Sequence, residues 1–143
     1  MAVIEGTAYW ASVTTPNTNY EPVYTVNLVV ESDTAKKFKR EGYSVKQMDE
    51  GPAIVIKRKV TSSSGKTNPP PKLFDRYKNP LDLVVGNGSK VKVQYKPWET
   101  VNKYGSFKGL DFQAMQVIEL VGSDADGAEF NAVEEEVSLE EQL

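Results

Sequence analysis

Lysine alternates with apolar residues in two stretches of this chain. In Lys90-Val91-Lys92-Val93-Gln94-Tyr95-Lys96, and again in Ile54-Val55-Ile56-Lys57-Arg58-Lys59-Val60, a period of two sends cations to one face and aliphatic side chains to the other. Lys90, Lys92 and Lys96 thus share a face, as do Lys57 and Lys59. Arg58 falls on the apolar phase, so it must sit at a strand end, a bulge or a sheet edge. Rings stand among further cations: Trp10 in phase with Ala8 and Ser12, Tyr77 between Arg76 and Lys78, Trp98 after Lys96-Pro97, and Tyr104 after Lys103. Rings beside cations suit an unpaired polynucleotide, because any base can stack on a ring, at about 1 to 3 kcal/mol per base, while a cation meets the phosphate. A duplex would hide those base faces. One lysine row alone reads as an ordinary solvated face. Two rows with interleaved rings predict one concave surface shared by Lys57, Lys59, Lys90, Lys92, Lys96, Trp10, Tyr77, Trp98 and Tyr104. Neutralising about five phosphates there would give a salt slope near −3.5, at roughly −0.7 per single-strand contact. Tyr24, Tyr95 and Phe112 lie on apolar phases and are expected in the core.

Residue types exclude much other chemistry. The 143 residues include no cysteine and no histidine, which removes disulfides, thiolate zinc sites, cysteine nucleophiles and the Ser-His-Asp triad. Acids of the body such as Asp49, Glu50, Asp75, Asp82, Glu99 and Asp111 are scattered, and no motif gathers two carboxylates on one strand face as a magnesium-dependent nuclease would need. No catalytic residue, metal or cofactor is expected. Charge is segregated: all 17 Lys and Arg lie at or before Lys108, while residues 123–143 hold eight of the 20 acids and no base. That leaves 12 acids against 17 bases in residues 1–122, a body of +5 joined to a tail of −8. A polyanion partner for the body follows, with a tail that excludes other polyanions or reaches a basic partner.

Strand signals dominate the elements that must position these side chains. Val3 to Val13, Pro22 to Val30, Ala53 to Thr61, Lys90 to Lys96 and Phe107 to Val121 are rich in β-branched and aromatic residues and bounded by Gly, Pro, Asn or Ser. One short helix is predicted over Asp33 to Glu41, with Ser32 or Asp33 as N-cap, Gly42 just past its end, and only Ala35 and Phe38 to bury. The fold class is therefore mainly all-β, a small barrel or sandwich with one helix. Residues 61–72 form a long loop, flexible in its Ser/Gly half and extended through Pro69-Pro70-Pro71, that would bring Lys66 and Lys72 over a bound strand. The domain spans residues 1–122, and 123–143 form a disordered acidic tail. No apolar run approaches the roughly 20 residues of a membrane span, and the chain's start lacks a basic flank with a long apolar stretch, so a cytoplasmic protein is expected.

The run Val84-Val85-Gly86-Asn87-Gly88-Ser89-Lys90-Val91-Lys92-Val93-Gln94-Tyr95, followed by Trp98, Gly105 and a hydrophobic stretch to Glu119-Leu120, resembles the single-stranded DNA-binding protein of short-tailed phages. Ala8-Tyr9-Trp10-Ala11 and Pro22-Val23-Tyr24-Thr25-Val26-Asn27-Leu28 look like that family's first two strands. Order and spacing over most of residues 3–121 carry the resemblance. It implies a five-stranded OB-fold barrel, often dimeric, that binds single strands without sequence preference in phage DNA replication and recombination within the host cytoplasm. It also implies that the tail, here with Glu134, Glu135, Glu136, Glu140, Glu141 and Leu143, contacts the phage DNA polymerase and helicase-primase and occupies the DNA groove of the free protein. The family's best-known member ends in an aromatic residue, for which Leu139, Leu143 or Phe130 would substitute. A virion structural β-domain or a carbohydrate-binding module is the alternative, since aromatic platforms also stack sugars; the lysine rows and the acidic tail argue against both.

Overall fold

Period-two alternation is what builds the barrel. The computed structural model describes residues 2–122, which form β1 (Ala2–Asn17), β2 (Val23–Val29), α1 (Ser32–Arg40), β3 (Val45–Met48), β4 (Gly51–Lys59), β5 (Lys72–Phe74), β6 (Ser89–Asn102) and β7 (Gly105–Glu119). β1 lies antiparallel between β2 and β6, β2 pairs antiparallel with β4, and β6 pairs antiparallel with β7. A parallel pairing of Lys57 with Asp111 then joins β4 to β7. The circle β1-β2-β4-β7-β6 is closed, giving the five-stranded OB-fold barrel with one helix among the described residues. Two short strands were not expected: β3 extends the free edge of β4, and β5 runs parallel to β7.

Every second residue of the barrel strands faces inward. Val26 and Leu28, Ile54 and Ile56, Val91 and Val93, and Phe112 and Met115 are fully buried, and Tyr24 and Tyr95 join them as their phase predicts. Burial pushes the Tyr95 hydroxyl above the usual tyrosine range. Arg58, on the same inward phase, is accommodated next to the end of β4, where its guanidinium donates to both carboxylate oxygens of Asp111 at 3.0 and 2.8 Å and to the Pro69 carbonyl at 3.1 Å.

The helix begins one residue earlier than expected, at Ser32. Its N-cap is Glu31, which makes no side-chain capping bond, so neither Ser32 nor Asp33 caps it. Gly42 follows with φ +93, the left-handed residue that ends many helices. Only Ala35 and Phe38 of the helix are buried. The Phe38 ring meets Tyr95 edge-on at 6.1 Å and Tyr43 at 5.8 Å, so the helix covers the barrel where these rings emerge.

The Ser/Gly half of the 61–72 loop is not an open linker. Thr61 bridges to Thr67, the Ser62 amide donates to the Lys66 carbonyl at 2.8 Å, and the Asn68 amide donates to the Val60 carbonyl at 2.8 Å, so the segment prolongs β4 as a tight turn. The Gly-Asn-Gly-Ser turn that leads into β6 is clamped. The Gly86 amide donates to the Val121 carbonyl at 2.7 Å, and a Cβ on Gly86 would stand 2.3 Å from that oxygen. Ser89 is fully buried; its hydroxyl donates to the Gly86 carbonyl at 2.8 Å and accepts from the Val121 amide at 2.8 Å. Ser89→Ala leaves the Gly86 carbonyl its bond from the backbone amide of residue 89 at 3.3 Å but strands the Val121 amide, and urea unfolding is expected to show a loss of about 1 to 3 kcal/mol.

Candidate nucleic-acid interface

β6 and β7 continue past the barrel wall as a hairpin arm. From Lys96 outward the register is Lys96 opposite Asp111, Trp98 opposite Gly109, Thr100 opposite Phe107 and Asn102 opposite Gly105, closed by the two residues Lys103 and Tyr104. Period two puts Lys96, Trp98 and Thr100 on one face of this arm with Phe107, Gly109 and Asp111. That face looks across at the outer face of β4. Between them lies a groove of about 590 Å³, floored by Val55, Lys57 and Lys59 and walled by Trp98 and Phe107, with Ser62, Ser63 and Asn68 of the loop at one side and Tyr43 at the other.

The groove's charges are arranged for an anion. Asp111 is the carboxylate in its lining, and Arg58 holds it in the two-pronged pair. Among the described residues Lys57 makes no ion pair, while Lys59 makes an exposed 3.7 Å contact with Glu21, too solvated to bind it firmly. Lys96, directly across the ladder from Asp111, adds a third exposed ammonium at the base of the arm. Lys108 also lines the groove, but its ammonium is already engaged: it donates to the Glu41 carbonyl at the helix C-terminus and sits 4.5 Å from the Tyr43 ring centre. Two large rings are only half covered, Trp98 at 45% and Phe107 at 46% exposure, and both stand in the groove wall.

The expected residues divide between two surfaces. Lys57, Lys59 and Trp98 come together in the groove, Lys96 stands beside it across the ladder from Asp111, and Tyr104 stands exposed at the tip of the arm, roughly 13 Å beyond Trp98 at about 3.3 Å per residue. Lys90, Lys92, Lys72 and Tyr77 do not join them, which corrects the expectation of one shared surface. Lys92 is paired in register with Gln116, and Gln116 with Phe74 of β5; Lys92, Phe74 and Lys78 line a separate shallow crevice on the outside of β1, β6 and β7. Lys72, which the loop was expected to bring over the strand, pairs with Ala114 on this same side. Acids sit among these lysines: Lys90 is 3.8 Å from Glu119, and Glu5 stands opposite Lys92. Tyr77 is presented by a turn in which Asp75 accepts from the Tyr77 and Asn79 amides at 2.8 Å, and the Asn79 bonds hold the Asp75 carboxyl below the usual carboxylate range.

A bulge explains the division. Between the pairs Gln94–Ala114 and Tyr95–Phe112, β7 carries one extra residue, Gln113; past it β7 exchanges β5 for β4 as neighbour. Lysines in phase along β6 therefore look out on either side of this twist. Trp10 also departs from its predicted phase. Ala8 faces inward and is buried, but the β1–β2 register breaks between Tyr9 and Ser12, and Trp10 emerges 64% exposed.

Phe107, Thr100 and Tyr43 were missed from the sequence, as was Tyr20, 92% exposed between β1 and β2. Extending the alternation from Lys96 through Trp98 to Thr100, and folding it back about a Lys103-Tyr104 turn, would have found Phe107. The residues beyond 122, including Glu134, Glu135, Glu136, Glu140, Glu141 and Leu143, lie outside the described residues.

Gly109 lets Trp98 lie flat on the arm. A Cβ at Gly109 would come within 2.8 to 2.9 Å of three indole atoms, Cζ2, Cε2 and Nε1. Gly109→Ala removes no charge and no ring, yet it is expected to displace the indole and shift the tryptophan emission, as read by fluorescence spectroscopy against the wild-type chain.

No family model and no curated protein matches the chain in sequence. Solved structures do match in fold. The crystal structure of gp2.5, a single-stranded DNA-binding protein encoded by bacteriophage T7, superposes over 88% of this chain and 96% of its own, with a TM-score of 0.58 and 16% identity. The single-stranded DNA-binding protein of bacteriophage Enc34 in complex with ssDNA covers 85% of this chain and 88% of its own, with a TM-score of 0.54 and 14% identity. The C-terminally truncated form of the Enc34 protein matches over 85% of this chain with the same TM-score, 0.54. The chain therefore has the OB-fold barrel found in phage single-stranded DNA-binding proteins.

Proposed function

We propose that the chain is a phage single-stranded DNA-binding protein that holds the strand, without sequence preference, in the groove between β4 and the β6–β7 arm. The observation that carries this reading is the groove itself: Lys57 and Lys59 face Trp98 and Phe107 across a cleft of about 590 Å³. The likeness in fold to the Enc34 protein solved with ssDNA supports it. Phosphates lie along Lys57, Lys59 and Lys96, and bases stack on Trp98 and Phe107. Stacking on a ring is indifferent to base identity, and contacts to phosphate carry no sequence information, so a groove built on Lys57, Lys59, Trp98 and Phe107 holds a strand of any sequence. The protein acts in DNA replication and recombination in the infected cell, and partnership with the phage polymerase and helicase-primase falls to the tail.

About three cations serve the groove, so log K for oligo-dT is expected to fall with log salt at a slope near −2, from roughly −0.7 per contact. Lys57→Ala should reduce that slope by about 0.7, and Lys92→Ala, on the other surface, should leave it unchanged. A salt-independent affinity, or binding to duplex or glycan in place of oligo-dT, rejects the reading.

Residues 123–143, with eight acids, act in this proposal as a tethered polyanion that competes for the groove. On a short leash its effective concentration is around millimolar, so even weak affinity occupies the site. A chain ending at Gly122 is expected to bind oligo-dT more tightly than the full chain, most visibly at low salt; equal or weaker binding removes the autoinhibitory role.

A further inference from the structure

Trp10 is held in a conformation that bulky residues avoid. Its φ is +53, in the left-handed region, and its indole is 64% exposed, so the backbone strain is not repaid by burying the ring. The strain is imposed by a contact from far along the chain: the Trp10 amide donates to the side-chain oxygen of Asn87 at 2.8 Å. Asn87 is itself fixed at the tip of the clamped turn, where the Gly88 amide donates to the Ala8 carbonyl at 2.9 Å and the Gly86 amide to the Val121 carbonyl. Such a bulge re-aims one side chain out of the sheet.

The register shows which surface Trp10 borders. Lys57 of β4 pairs with Thr25 of β2, and Thr25 with Ser12 of β1; Val55 pairs with Asn27, and Asn27 with Tyr9. Lys57 and Val55 are in the groove floor, and Trp10 sits on β1 between the far ends of these two rows, roughly 10 Å from β4 at two strand spacings. Neither row contains an acid. We infer that a bound single strand leaves the groove across Thr25 and Asn27 and ends its contact by stacking a base on Trp10, with Asn87 as the positioning residue that holds the indole out. This inference rests on the function proposed above and extends the site from one side of the barrel face to the other.

The test uses full-length protein and oligo-dT of about 4 and about 12 nucleotides, the span of one OB-fold site. In a Trp98→Phe background the remaining emission comes from Trp10, and the longer oligomer is expected to quench it. Adding Asn87→Ala should remove most of that quenching and shrink the affinity advantage of the longer oligomer over the shorter one by roughly ten-fold, the loss of one stacked base. Trp10→Gly separates function from folding: glycine accepts a positive φ, so this variant should melt no lower than wild type while binding the longer oligomer roughly ten-fold more weakly. The inference is overturned if the protein binds oligo-dT with the expected salt slope, yet Trp10 emission is unmoved and Trp10→Gly keeps the full advantage for the longer oligomer. Absence of any oligo-dT binding by the wild-type chain would overturn the proposed function itself, and this inference with it.

Discussion

Arg58 and Asp111 stand at the closure of the barrel. Four of the five pairings that make the circle are antiparallel ladders; the fifth is the parallel pairing of Lys57 with Asp111. A seam this brief has few backbone bonds, and the two-pronged ion pair, with side-chain exposures of 14% and 30%, reinforces it from the adjoining residue. Pairing also answers the cost of an arginine on an inward-facing phase, because a shielded guanidinium without its carboxylate would be strongly destabilising. The same seam fixes how far the β6–β7 arm stands from β4. Groove width is therefore set by the contact that closes the sheet.

Around that seam the strands divide their labour by face. Inward residues from all five strands merge into one apolar core, so the outward face of β4 and the inner face of the arm are free to carry lysines and half-covered rings. The arm's shape depends on small residues and turns: Gly109 leaves room for the indole of Trp98, and Gly105, at φ +126, takes a backbone state that side chains resist. A rigid apolar barrel below and a polar, aromatic cleft above are two results of one alternating pattern.

The two cationic surfaces differ in their neighbours more than in their number of lysines. Lys57 and Lys96 flank a carboxylate that Arg58 already neutralises, whereas Lys90 and Lys92 face Glu119 and Glu5 across their ladders. An exposed ammonium beside an exposed carboxylate presents a reduced net field to a polyanion, so within the groove Lys59, beside Glu21, contributes less than Lys57. Face assignment along a single strand cannot show this, because the acids that matter come from partners on either side.

Local regularities made much of this legible in the chain itself. Alternation is a property of neighbouring residues, so the five barrel strands, the inward phase of Tyr24, Tyr95 and Phe112, the place of Arg58 beside a strand end, and the role of Gly42 after the helix could be read from spacing alone. The closed ring of strands, by contrast, joins residues far apart, and three consequences belong to the tertiary structure. The extra residue Gln113 rotates one lysine row onto two surfaces, the β4–β7 seam sets Lys57 across from Trp98 and Phe107, and Asn87 reaches across 77 positions to turn Trp10 outward. Each arises from register between distant segments, which is decided when a sheet closes and leaves no periodic trace in either segment.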